Sequence, residues 1–251
     1  LRIPIGYHLD IYLKTQARVP LSIPVGNHTL ISGTTGTGKT TMLWLLLYQT
    51  IKVLSPYGLE LSVCDYKNEL DSLNKCKRYH SSFEAIVSEI DRFYDEFQQV
   101  VKSGEKGTAY HRLVIDEFFS FMSNMETNSK VDKTAKQTYQ RISSELTTLL
   151  AMGRSVGFVV TVVVQQAGVK NFSSSADREN FGNKIALGTQ SKISAEMVFD
   201  MVDLSKIDYQ KTMRPGCGYV YVQGEAVREL VVPRLVDQKP LEAYVRNFLM
   251  E

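Results

Sequence analysis

The sequence predicts an α/β fold, a mostly parallel sheet with helices on both faces, and three observations carry that expectation. Strand-like and helix-like segments alternate along the chain, the rhythm of parallel strands joined by helical crossovers. A glycine-rich run, Gly33-Thr34-Thr35-Gly36-Thr37-Gly38-Lys39-Thr40, falls where an apolar strand gives way to a helix. A second buried-strand pattern, Leu113-Val114-Ile115, ends in the adjacent carboxylates Asp116 and Glu117. At 251 residues and 43% hydrophobic content, the chain suffices for one large domain, and a second complete one would be a squeeze. The expected organisation is a single domain over residues 1–251; because it begins at Leu1 rather than Met, it reads as excised from a longer protein.

Taken in order, the candidate strands are Thr29–Ser32, Leu59–Asp65, Arg112–Asp116, Phe158–Gln165, Lys184–Thr189, Tyr219–Gln223 and Arg228–Val232. The clearest helix starts at Ser81 or Ser82 and carries Phe83, Ile86, Val87, Ile90, Phe93, Phe97 and Val101 at helical spacing, an aromatic stripe that reads as core packing. A second, about Lys133 to Met152, places Tyr139, Ile142, Leu146, Leu149 and Leu150 on one side and ends toward Gly153. The polar stretch Ser123–Lys136 shows no period and is expected to be a mobile surface loop. There is no internal repeat and no low-complexity tract.

The glycine-rich run matches the phosphate-binding pattern G-x-x-x-x-G-K-[ST] without a mismatch. Gly33, Gly36 and Gly38 let the backbone curl so that successive N–H groups, from Thr34, Thr35 and Thr37 through Thr41, face an anion beside the positive end of a helix. Lys39 is then expected to reach the β- and γ-phosphates of ATP, and the Thr40 hydroxyl to hold Mg²⁺. The acid pair complements the loop. Asp116, at the strand end, suits Mg²⁺ or its water shell, and Glu117 suits a general base for the water that attacks the γ-phosphate. The strand Phe158–Val164 runs into Gln165-Gln166, and an amide there can hydrogen-bond the γ-phosphate or the lytic water.

Composition narrows the setting less than the motifs do. Net charge is +2, from 29 basic and 27 acidic residues, too balanced to reveal a nucleic-acid partner and unable to exclude one. Cys64, Cys76 and Cys217 are an odd, scattered set that cannot form a complete disulfide framework, so a reducing, cytoplasmic setting is the default. No apolar run approaches the roughly 18 to 20 residues that span a bilayer.

Several segments together resemble one family: Gly33–Thr40, Asp65-Tyr66-Lys67 after the next strand, Ile115-Asp116-Glu117-Phe118, and Gly153-Arg154-Ser155-Val156-Gly157 before the strand that ends at Gln165. In order and spacing they are similar to the FtsK/SpoIIIE family, over about Ile3 to Tyr221. The resemblance implies a RecA-like P-loop ATPase that forms a hexameric ring and pumps DNA through its channel. It implies Lys39, Thr40, Asp116, Glu117 and Gln165 as the ATPase residues. Lys184 lies where the resemblance puts a catalytic cation acting on the neighbouring subunit, with Arg154 and Arg178 as alternatives. Departures from the chromosome-segregation members, Asn183-Lys184-Ile185-Ala186-Leu187 in place of an arginine-led stretch and Gln166-Ala167 after Gln165, point toward a mobile-element coupling protein for conjugative DNA transfer. Such a motor would be the cytoplasmic part of a membrane-anchored bacterial protein, with membrane, relaxosome or secretion partners held by other parts of it. Two alternatives stay open: a type VII-like ATPase that secretes proteins, and a non-hydrolysing nucleotide-binding switch module.

Overall fold

A computed structural model describes residues 1–104, 109–165, 175–188, 192–199, 207–208 and 214–251. Ten strands among them form one sheet: β1 (Arg2–His8), β2 (Pro20–Pro24), β3 (Thr29–Gly33), β4 (Leu59–Asp65), β5 (Tyr79–His80), β6 (Tyr110–Asp116), β7 (Phe158–Val164), β8 (Asn183–Leu187), β9 (Cys217–Val222) and β10 (Arg228–Val231). Their order is β2-β1-β10-β9-β8-β3-β7-β6-β4-β5. The six strands from β8 to β5 are mutually parallel. The other four extend the sheet in antiparallel fashion. Two expected strands, Tyr219–Gln223 and Arg228–Val232, thus lie in the antiparallel extension, because the short 223–227 connection has room for a hairpin and none for a crossover. Strands β1, β2 and β5 add to the seven expected. Of the expected strand Lys184–Thr189, Thr189 lies outside the described residues, as do Gln166 and Ala167.

The helices are α1 (Leu9–Thr15), α2 (Lys39–Leu54), α3 (Phe83–Ser103), α4 (Phe118–Ser129), α5 (Lys133–Met152), α6 (Ser175–Glu179), α7 (Lys192–Val198) and α8 (Lys239–Met250). Ser82 caps α3, its hydroxyl accepting the Ala85 N–H at 3.2 Å. From α3, Ile86, Ile90, Phe93 and Phe97 are buried, and both phenylalanines meet Phe158 edge-on. The expected loop Ser123–Lys136 is instead mostly helical: α4 runs to Ser129, and α5 restarts at Lys133 under an Asp132 cap that accepts the Ala135 N–H. Phe118, Phe121, Met122 and Met125 are the buried stripe of α4, so its apolar period is spent by Met125 and the polar remainder looks aperiodic.

Two apolar clusters cover the two faces of the sheet. Val114 packs with α2 and α8, whereas Leu113 and Ile115 pack with α3, α4 and α5, the alternation of a strand covered on both sides. Helix α2 is buried almost all round, from Met42 to Leu47, because β1, β2 and α8 close over it. Each such side chain contributes about 1.5–3 kcal/mol. The parallel order has one consequence for function. Strand β7 lies between β3 and β6, so the carboxyl ends of all three, Gly33, Val164 and Asp116, come out on one edge, with Gln165 directly after Val164.

Candidate nucleotide-binding and hydrolysis site

The loop Thr34–Gly38 closes on itself. Thr37 Oγ1 donates to the Thr34 carbonyl at 2.7 Å, and Lys39 Nζ donates to the same oxygen at 3.3 Å. Gly38 stands at φ +97°, a conformation that L side chains rarely adopt, and a Cβ on Gly33 would meet Thr37 Oγ1 at 2.6 Å. The loop is tied to the sheet extension by the Gly216 N–H, which donates to Thr37 O at 2.9 Å. No side chain caps α2, so the amides of its first turn are available to an anion. Thr34, Thr35, Gly36 and Thr40 are exposed, Lys39 and Thr41 half-buried. Burial lowers the Lys39 pKa, while Glu117 and Asp116 nearby favour its charged form.

Asp116 pairs in register with Asp65 of β4, which sets two acids side by side. Burial, then the Asp65 charge, pushes the Asp116 carboxyl up to about 7. Asp65 is fully engaged, accepting the Lys67 N–H at 3.2 Å, the Leu70 N–H at 2.7 Å and the Tyr79 hydroxyl at 2.8 Å. It thereby holds the loop that carries Lys67. A dication between Thr40 and Asp116 would relieve the charge that burial penalises, so these residues fit Mg²⁺.

Glu117 is a non-glycine residue at φ +53°, a backbone state that costs about 1–2 kcal/mol. Strain of that kind at a strand-to-helix junction is characteristic of functional positions. Its Oε2 accepts from Lys67 Nζ at 2.8 Å and from Ser120 Oγ at 3.1 Å, and its Oε1 accepts from Gln165 Nε2 at 3.2 Å. Burial pushes its pKa up, but these three donors outweigh burial and leave the carboxyl below its ordinary value. The structure therefore brings Lys39, Asp116, Glu117 and Gln165 to one edge, with Thr40 at the start of α2.

The three candidate cations are placed elsewhere. Lys184 is 2% exposed within β8, flanked by β3 and β9, and does not project from the surface as a residue serving a neighbouring subunit must. Arg178 is also buried, with Nη1 donating to Met197 O at 3.3 Å. Arg154 is exposed; it holds Gly26 O and Gln223 Oε1, each at 3.2 Å, at the sheet edge opposite the phosphate loop.

Two features escaped sequence reasoning. Lys67 was visible within Asp65-Tyr66-Lys67 but carried no role until the structure brought it to Glu117. Beside Gly38 and Thr41, a pocket of ≈ 400 Å³ is lined by Pro215, Gly216, Val232, Pro233 and Arg234. Its Pro-Gly and Val-Pro-Arg segments bear no nucleotide motif, and only the fold sets them against the loop.

A phosphate loop, an acid pair and an intervening amide at the carboxyl edge of a parallel sheet define a P-loop ATPase fold. Within that class the chain belongs to the FtsK/SpoIIIE family, whose profile matches residues 9–196. No curated protein matches it in sequence. Among solved structures, it is similar to the pCW3 conjugation coupling protein TcpA in its monomer form with ATPγS, at TM-score 0.73 and 16% identity, covering 100% of this chain and 69% of that one. It is likewise similar to the cytoplasmic domain of the Thermomonospora curvata type VII secretion ATPase EccC, at TM-score 0.67 and 20% identity, covering 99% of this chain but only 31% of that one. The genome packaging NTPase B204 of Sulfolobus turreted icosahedral virus 2, with ATPγS, matches at TM-score 0.54 and 12% identity over 85% of this chain and 100% of that one. Among the described residues no helix is long and apolar enough to cross a membrane.

Proposed function

We propose that this domain hydrolyses ATP to move DNA through a homohexameric ring, in the setting of conjugative transfer. The observation that carries the hydrolytic half is the contact between Gln165 and Glu117 at 3.2 Å, on the edge where the phosphate loop also ends. A module that only binds nucleotide has no use for a strained, buried carboxylate linked to an amide at that place. The cargo rests on family membership and on likeness to a coupling protein.

In the mechanism, the α2 amides and Lys39 receive the phosphates; Lys39 exchanges the Thr34 carbonyl for phosphate oxygens. Thr40 and Asp116 would hold Mg²⁺, which neutralises charge on the β- and γ-oxygens when bound. The pocket beside Gly38 takes the nucleoside. Gln165 orients the lytic water, and Glu117 accepts its proton once an oxygen is released from Lys67 or Ser120. Of the three candidate cations Arg154 alone is exposed, which supports it as the one that acts on the neighbouring subunit, once its guanidinium leaves Gly26 O and Gln223 Oε1.

One assay separates the readings: steady-state ATP turnover without additive, with duplex DNA, with single-stranded DNA and with a type VII signal peptide. Salt-sensitive stimulation by DNA is expected. Stimulation by the peptide alone would transfer the motor to protein secretion, a reading favoured by the likeness to EccC. No turnover under any condition would leave a nucleotide-binding switch.

A further inference from the structure

At the end of the sheet away from the phosphate loop, Arg112 lies inside the protein with no counter-charge among the described residues. It stands near the start of β6 and faces the α2 side of the sheet, as Val114 does two positions on. The residue is 5% exposed, yet its Nε and Nη2 have no hydrogen-bond partner, and among the described residues it forms no ion pair. The guanidinium carbon lies over the Tyr110 ring, 5.7 Å from its centroid. Burial lowers its pKa to about 10, which still leaves the group charged at neutral pH. Buried donors are almost always paired, and an uncompensated buried charge is among the costliest features a fold can carry.

Beside this group is a cavity of ≈ 20 Å³ whose polar lining comes from Arg112, Asn27, Thr29, Thr50 and Thr161. The rest of the lining is apolar, and among the described residues no Asp or Glu takes part. The volume suits one water-sized guest and is too small for a phosphate or a nucleotide. A water could accept from both guanidinium nitrogens but would leave the charge uncompensated. A monovalent anion supplies both the acceptor and the charge. We propose that the cavity is a binding site for a halide-sized inorganic anion, held by Arg112. The wall opposite the sheet includes Leu46, Leu47 and Thr50 of α2, so the bound anion would brace the helix whose first turn carries Lys39 and Thr40.

The test has two arms on the whole chain. In the first, unfolding temperature is followed while chloride replaces gluconate at fixed ionic strength, for wild type and Arg112→Met. A saturable rise of about 3 °C is expected in the wild type and none in the variant. In the second, crystals soaked in bromide are expected to show an anomalous peak within hydrogen-bond distance of the Arg112 guanidinium. A water alone at that place, or chloride dependence equal in the two proteins, would overturn the proposal. Should Arg112→Met fail to fold, the bromide peak in the wild type decides.

Discussion

Replacing Lys67 by Met is expected to raise ATP turnover in the absence of DNA by about fivefold. Glu117 has donors on both carboxylate oxygens, and the Lys67 contact at 2.8 Å is the charged one among them. A base so occupied must lose a donor before it can accept the proton of the attacking water. An ion pair near 4 Å is worth about 4 kcal/mol at an effective dielectric constant near 20. The Lys67 side chain is 39% exposed, however, and solvent screening reduces the restraint to about 1 kcal/mol. That corresponds to a factor of about five in the population with Glu117 released. The assay is steady-state turnover at saturating MgATP, with ATPγS binding measured in parallel to show that affinity is kept. Lys67→Arg retains the pair and is expected to stay near wild type. The pH profile adds a signature, since loss of Lys67 lets burial raise the Glu117 pKa and moves the acid limb upward. Unchanged or lower turnover in Lys67→Met, with nucleotide affinity intact, would refute the view that this lysine restrains the base.

Lys39→Ala is expected to weaken ATPγS binding by about 100-fold, the scale for removing one partner of a charged, partly buried phosphate contact, whereas Glu117→Gln keeps binding and loses turnover by about 10²–10⁴; titration calorimetry beside a turnover assay checks both. His28, fully buried with Nδ1 accepting the Val160 N–H at 2.9 Å, has its pKa lowered to about 3 by burial and then by Arg154 and Arg112. The unfolded chain therefore binds a proton below pH 6.5 that the folded one does not. Stability is expected to fall as pH drops from 6.5 toward 3, by up to about 1.4 kcal/mol per unit, and His28→Asn, which keeps an acceptor, should flatten that slope in urea titrations. For the cation acting in trans, mixing Arg154→Ala with Glu117→Gln is expected to restore part of the turnover that each lacks alone, because some interfaces then pair an intact finger with an intact base; absence of rescue in co-assembled rings would remove Arg154 from that role.

The parts of the site legible in the sequence are those whose chemistry is written in consecutive residues. Gly33 to Thr40 must be contiguous because a backbone cradle is built from neighbouring amides, and Asp116-Glu117 because a strand end offers two adjacent carboxylates. What stayed hidden depends on register between distant segments. Asp65 meets Asp116 across β4 and β6, and Lys67 reaches Glu117 only because Asp65 fixes its loop. Helix α4 was masked at its start, since Glu117 turns the chain at positive φ without the glycine that would have announced the junction. The burial of Lys184 depends on strand order in the same way. A lysine at the head of an apolar segment reads as a solvated strand end, but β8 is an interior strand of a sheet covered on both faces, where even its first residues are enclosed. Burial at such positions follows from strand order. Alternation of apolar and polar residues cannot report it, so charged residues on central strands, Lys184 and Arg112 alike, are where the sequence says least and the three-dimensional arrangement adds most.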